Sequence, residues 1–187
     1  MNTAAPSILL LNVAGQPFDW ITYEKAAYYY AKELISWQIG SRDYTLHGGT
    51  NRITNEQSTL PINSIIAVKN NTSVHKNTPL TNKTLFKRDR NICAYCGTEH
   101  TNSILTRDHI IPTSRGGANN WMNVVTACKP CNSRKDDNLL DHINMKLVYV
   151  PYVPNVAEYL ILRNRNILAD QMDYLSKQVP KGSRIYG

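Results

Sequence analysis

The chain has 187 residues, of which 42% are hydrophobic and 19% charged, with a formal net charge of +7 and a pI near 9.3. Such a chain suits one globular domain or a domain with a satellite, and it excludes a low-complexity or membrane-spanning protein, because no apolar run reaches the ~20 residues a spanning helix needs. The surplus of Lys and Arg points to a polyanionic partner, and without a spanning segment no membrane partner is expected.

In chain order, ILLLNV between Pro6 and Gly15 reads as a strand. No basic stretch or small-residue cleavage site frames it as a secretion signal, so the expected location is cytoplasmic. Thr22 to Ile39 reads as a helix, with Ala26, Ala27, Tyr30, Ala31, Leu34 and Ile35 at helical spacing and Gly40 as its stop. The run Tyr28-Tyr29-Tyr30 would point to three sides of that helix, which favours core and interface packing over base stacking. HGGTNRITNEQST reads as a loop or hairpin, INSIIAVKN as a strand, and NNTSVHKNTPLTN as a linker. Residues 1–82 are therefore expected to form an N-terminal strand-helix-strand module.

TLFKRDR then predicts a short basic helix, opening a central segment over residues 83–147. Lys83 to Lys135 holds nine Lys/Arg against three Asp/Glu, a local net charge of +6. Arg88, Arg90, Arg107, Arg115, Lys129, Arg134 and Lys135 are the candidate phosphate contacts. At the far end, Asn155 with Glu158 three residues on is a helix-start signal. Val156, Tyr159, Leu160, Ile167, Leu168, Met172 and Leu175 continue as one apolar stripe to Lys177, so residues 148–187 predict a helix followed by a basic tail.

All four cysteines fall in two pairs, Cys93/Cys96 and Cys128/Cys131, each spaced C-x2-C. Two such pairs with no spare cysteine fit one tetrahedral structural zinc. Gly97 follows the first pair, where a knuckle needs a permissive backbone. Two disulfides or four unrelated thiols are the alternatives, and an intracellular chain argues against the disulfides.

Between the pairs, ILTRDHIIP reads as a strand, TSRGGANNWMN as an irregular loop, NVVTAC as a return strand and KPCNSRKDD as a helix. Asp108 and His109 end the first strand, and its pleat sends them to opposite sides. They therefore take different roles. Imidazole titrates near neutrality and can take a proton from water. A hard divalent cation, Mg or Mn, held by Asp108 and Asn132 can bind a scissile phosphate and offset its developing charge. Asp141-His142 repeats the dipeptide without that frame and reads as a helix surface or cap, while Asn119 and Asn120 read as loop-shaping.

The run CAYCG…LTRDHIIPTSRGGANNWMNVVTACKPCNSRK resembles the HNH endonuclease family, the ββα-metal nucleases, in its zinc-bearing branch. The resemblance implies that His109 is the general base, that Asp108 is a metal ligand, and that Asn123 holds the loop and orients the base. Asn132 stands where the name-giving last His is commonest. Gly116-Gly117, Trp121 and Lys135 match as well, and likeness to the family's flanks is looser. The expected fold class is α+β, a zinc-bound ββα core with an N-terminal strand-helix-strand module and a C-terminal helix. The expected function is metal-dependent cleavage of double-stranded DNA in a restriction, homing or phage-related role. The aromatic N-terminal helix and the C-terminal stripe point to a homodimer. The alternatives are a catalytically inactive zinc-dependent DNA-binding module and a nuclease acting on RNA.

Overall fold

The computed structural model describes residues 7–42, 44–69 and 78–185. In chain order the elements are β1 (Ile8–Asn12), β2 (Pro17–Ile21), α1 (Tyr23–Ala31), β3 (Ile35–Ile39), β4 (Tyr44–Thr50), β5 (Gln57–Ile62) and β6 (Ile65–Val68). They continue as α2 (Asn82–Arg88), β7 (Leu105–His109), β8 (Val124–Cys128), α3 (Lys129–Lys135), α4 (Val156–Arg163) and α5 (Ala169–Ser176). The α+β class is as expected. No helix among the described residues is long and apolar enough to cross a membrane. The chain divides into two compact units, Met1–Lys76 with Asn164–Val179, and Asn77–Arg163 with Pro180–Gly187.

The first unit is richer in strands than the expected strand-helix-strand outline. Its sheet runs β2-β1-β6-β3, with β1 parallel to β6 and the other pairs antiparallel. β1 and β6 are buried along nearly their whole length, as central strands of a mixed sheet are. Ile8, Leu10, Phe18, Ile21, Ala26, Ile62, Ile66 and Val68 make its core. The predicted helix over Thr22–Ile39 is corrected to α1 followed by β3. Glu33 takes a left-handed φ of +54°, which no helix continues through, and Ile35–Ile39 pairs with β6 instead. Backbone pairing to a buried neighbour overrides a helical spacing that five residues only weakly specify. Tyr30 donates to Gln38 Oε1 at 2.5 Å and accepts from Asn63 N at 3.2 Å, so it is structural. HGGTNRITNEQST is the tip of the exposed β4–β5 hairpin.

The single helix expected from Val156 to Lys177 is corrected to α4 and α5, which belong to different units. Asn164 Oδ1 accepts from the backbone N–H of Arg165 at 2.8 Å and of Asn166 at 3.3 Å, a local turn that competes with helix hydrogen bonds. α5 is held in the first unit by Gln171, whose fully buried amide donates to Ser7 O at 2.8 Å and Ser64 O at 2.9 Å.

In the second unit, α2 begins at a capping box between Thr81 and Thr84 and buries Leu85 and Phe86 against Leu105, Trp121 and Val124. β7 and β8 form an antiparallel pair with Asp108 opposite Val125 and His109 opposite Val124. α3 starts directly after β8, with Pro130 in its first turn, where a missing N–H costs nothing. This gives a strand, loop, strand, helix order.

Candidate functional site

The cysteines come together because β8 ends at Cys128 and the first turn of α3 carries Cys131, while the backbone N–H of Ala94 bonds to Thr126 O at 2.8 Å and brings the first pair alongside. Their four sulfurs lie within 4.8 Å of one another, and they are the only such group of His, Cys, Asp and Glu among the described residues. Gly97 takes φ +72° at the knuckle, and Gly97 N bonds to Cys93 O at 3.0 Å. Burial raises the Cys96 thiol, but hydrogen bonds from His100 and Thr98 outweigh it and bring it down to about 6. Burial and the neighbouring sulfurs push Cys131 well up. A four-thiolate set is the donor chemistry of structural zinc, whose charge would relieve that crowding.

The period-2 pleat of β7 sorts its side chains onto two faces. Thr106 and Asp108 face α3. Thr106 Oγ1 accepts from Asn132 Nδ2 at 3.1 Å, and Asp108 Oδ1 lies 3.4 Å from Lys135 Nζ. The hydroxyl of Tyr95 donates to Asp108 Oδ2, and burial, reinforced by that carboxylate, keeps the phenol protonated far above its usual range. Arg107 and His109 take the other face. Asn119 Oδ1 accepts from Arg107 Nη1 at 3.1 Å and lies 3.2 Å from His109 Nε2. An oxygen fixed as acceptor by arginine requires a donor on the imidazole, so Nε2 carries the proton and Nδ1 is left as the basic nitrogen. Asp108, His109, Asn132, Lys135 and Arg107 all line one cavity of about 290 Å³.

Asn123 saturates its amide on the loop: Oδ1 accepts from Ile111 N at 2.9 Å, and Nδ2 donates to Ile111 O at 3.0 Å and Ala118 O at 2.9 Å. Gly117 is required there, because a Cβ would stand 1.8 Å from Ile111 O. Asn123 thus ties both ends of the loop, and the side chain that meets His109 is Asn119, which the sequence reading gave only a loop-shaping role. Thr106 and Tyr95 were also missed. Thr106 was accessible through the i, i+2 rule from Asp108, whereas nothing local marks Tyr95 or Asn119.

Two of the candidate phosphate contacts are corrected. Arg88 is fully buried, and all five of its N–H groups are used. They reach Asp89 at 2.8 and 3.0 Å, and the carbonyls of Trp121, Tyr152 and Val124 at 2.8, 3.0 and 2.9 Å. Lys135 is also fully buried, with His109 O at 2.7 Å. A basic residue flanked by apolar ones is drawn inward once carbonyls and a carboxylate are there to receive it. Arg90, Lys129 and Arg134 are exposed, and Arg115 is turned onto Asp137, its Nε donating to the backbone carbonyl at 2.6 Å. Arg107 lines the cavity, and its Nε is buried without a hydrogen-bond partner among the described residues.

Residues 93–148, which span both cysteine pairs, both strands and α3, match the HNH endonuclease family. The family likeness lies in this segment of the chain. No curated protein matches the chain. The match points to nuclease chemistry in general, and the four clustered cysteines could hold a zinc.

Proposed function

We propose that this protein is a metal-dependent endonuclease that hydrolyses phosphodiester bonds of double-stranded DNA in the cavity beneath His109. The observation that carries the reading is the division of β7. One face presents Asp108 and the oriented amide of Asn132, and the other presents His109, whose Nδ1 has no partner among the described residues. Thr106 gives its own proton to Ala127 O at 3.1 Å, so it receives the Asn132 Nδ2 and leaves Asn132 Oδ1 unengaged among the described residues. Carboxylate and amide oxygens suit a hard divalent ion, Mg or Mn, which when bound supplies charge for the phosphate and the departing oxygen.

The chain's own residues do the rest. His109 Nδ1 takes a proton from the attacking water, and Asn119 holds the ring by its other nitrogen. Asn123 keeps the loop in shape, and Arg107, which lines the cavity, supplies a positive charge for the phosphate. Exposed Arg90, Lys129 and Arg134 add sequence-independent attraction for the backbone. The four cysteines with zinc hold β8 and α3 in register for this arrangement. One cavity accommodates one strand, so a double-strand break needs two copies.

The test is cleavage of supercoiled plasmid with Mg or Mn, beside the His109→Ala variant and a single-stranded RNA substrate. Open-circle or linear product that disappears in His109→Ala supports the reading. DNA binding with no cleavage of either substrate would leave a zinc-dependent binding module in its place.

A further inference from the structure

We propose that Lys135 is a built-in counter-ion that makes divalent-cation binding at Asp108 contingent on a nucleic-acid phosphate, so that metal and DNA enter this site together. The proposal rests on the nuclease reading above and adds a rule for how the site is loaded. Lys135 is fixed beside Asp108. Its side chain is fully buried, and Nζ is surrounded by Asp108 Oδ1 at 3.4 Å, His109 O at 2.7 Å and Asp136 O at 3.5 Å. The other carboxylate oxygen of Asp108 already accepts from Tyr95. Both oxygens of the sole acidic ligand therefore carry a donor before any cation arrives.

The charges around the cavity balance. Asp108 is matched by Lys135. Asp137 lies 3.8 Å from Arg115. Arg107 and Asp136 line the same cavity with opposite signs. Asn132 contributes an oxygen and no charge. Sites for hard cations tune their affinity by the number of charged ligands, and one compensated carboxylate with one amide is at the weak end, with dissociation constants on the order of 10⁻³ M. A phosphodiester supplies what is missing, a negative charge and hard oxygen ligands. Each ligand then raises the affinity of the other by the same factor, as linkage requires. The free protein stays unloaded, and the ion arrives where a substrate is in place.

The experiment uses the full zinc-loaded chain carrying His109→Ala, so that DNA is bound but not cut. Mn2+ is titrated against the protein alone, and the affinity for a 20-base-pair duplex is read by anisotropy with and without Mn2+ at fixed ionic strength. An Asp108→Ala/His109→Ala chain gives the screening background. The expected result is weak Mn2+ binding to the free protein and DNA binding tightened at least about fivefold above background. Adding Lys135→Met should tighten Mn2+ binding to the free protein about tenfold and bring the coupling factor toward one. A coupling factor within about twofold of one in His109→Ala would overturn the proposal, whether or not the Lys135 variant folds, and so would unchanged Mn2+ affinity in a folded Lys135→Met chain. Plasmid cleavage by the wild-type protein separates the two levels. Cleavage without coupling removes only this inference, whereas no cleavage of DNA or RNA removes the nuclease reading.

Discussion

Thr106 Oγ1 accepts from Asn132 Nδ2 at 3.1 Å while donating to Ala127 O at 3.1 Å, so a strand hydroxyl decides which end of a helix amide faces the cavity. Thr106→Val keeps the shape and removes the acceptor. The Asn132 amide can then turn, and the half-maximal metal concentration for cleavage should rise by roughly tenfold or more. Thr106→Ser should restore it. Zinc content should be unchanged in both variants. A metal requirement equal to wild type in Thr106→Val would mean that Asn132 is oriented by something else.

His109→Ala should lose at least ~10² in cleavage rate and keep its DNA affinity, because a general base acts in the transition state. Asn119→Ala removes only the oxygen that holds the ring by Nε2. A smaller loss, about tenfold in kcat with KM unchanged, is expected there. Single-turnover kinetics on a labelled duplex checks both, and a large KM effect in Asn119→Ala would make it a DNA contact.

Arg88 should matter for stability and not for DNA. Arg88→Met leaves the buried Asp89 carboxylate with the Thr126 N–H, 2.9 Å from Oδ2, and the Tyr149 hydroxyl, but without its opposite charge. Stranding a buried charge costs about 3–5 kcal/mol. A fall of at least about 10 °C in melting temperature should follow. Arg90→Met, at an exposed site, should melt like the parent and weaken DNA binding. Equal melting temperatures for the two variants would refute the buried role.

Zinc should be found at one ion per chain. Two apolar clusters described in the second unit are small, one around Leu85, Phe86, Leu105, Trp121 and Val124 and another around Cys93, Ala127 and Cys128. A bound zinc would then supply much of its folding free energy. Cys96→Ser should lose the zinc and unfold this unit, read as a lost near-ultraviolet signal. Folded, active protein without zinc by elemental analysis would end the idea.

Asp170 sets a pH dependence in the first unit. Burial opposes its ionisation, but hydrogen bonds from Ser64 Oγ at 2.5 Å, Ser41 N at 2.7 Å and Gln171 N at 2.8 Å win, and its carboxyl lies below the ordinary 3.8. A depressed carboxylate stabilises the fold above its unfolded pKa, and that contribution is lost as pH falls through the folded value. Stability of wild type over Asp170→Ala should therefore be largest at neutral pH and shrink below about pH 4. Because the group is partly exposed, the difference should be only about 1 kcal/mol. Urea melts at pH 7 and pH 3 measure it, and a gap that widens on acidification would contradict the assignment.

Cysteine spacing, the Asp-His pair, the Gly-Gly loop and the helix over KPCNSRKDD were legible because each is local chemistry at fixed offsets along the chain. β1, β6, β7, β8, α2 and α3 followed from short apolar runs and turn residues. The opposite facing of Asp108 and His109 followed from the pleat alone. Other features could not be read along the chain. Ile35–Ile39 is a strand only because β6 lies beside it, and the Val156–Lys177 stripe breaks where Asn164 captures its own backbone. Arg88 and Lys135 look like surface cations in a basic segment. They are buried because the acceptors that satisfy them, Asp89, Trp121, Tyr152 and Val124 for one and Asp108 and His109 for the other, are gathered by folding. The sequence by itself determined which chemical groups the site contains. The tertiary structure decided which of them hold one another, because a hydrogen bond or ion pair depends on distances of about 3 Å that chain order does not set.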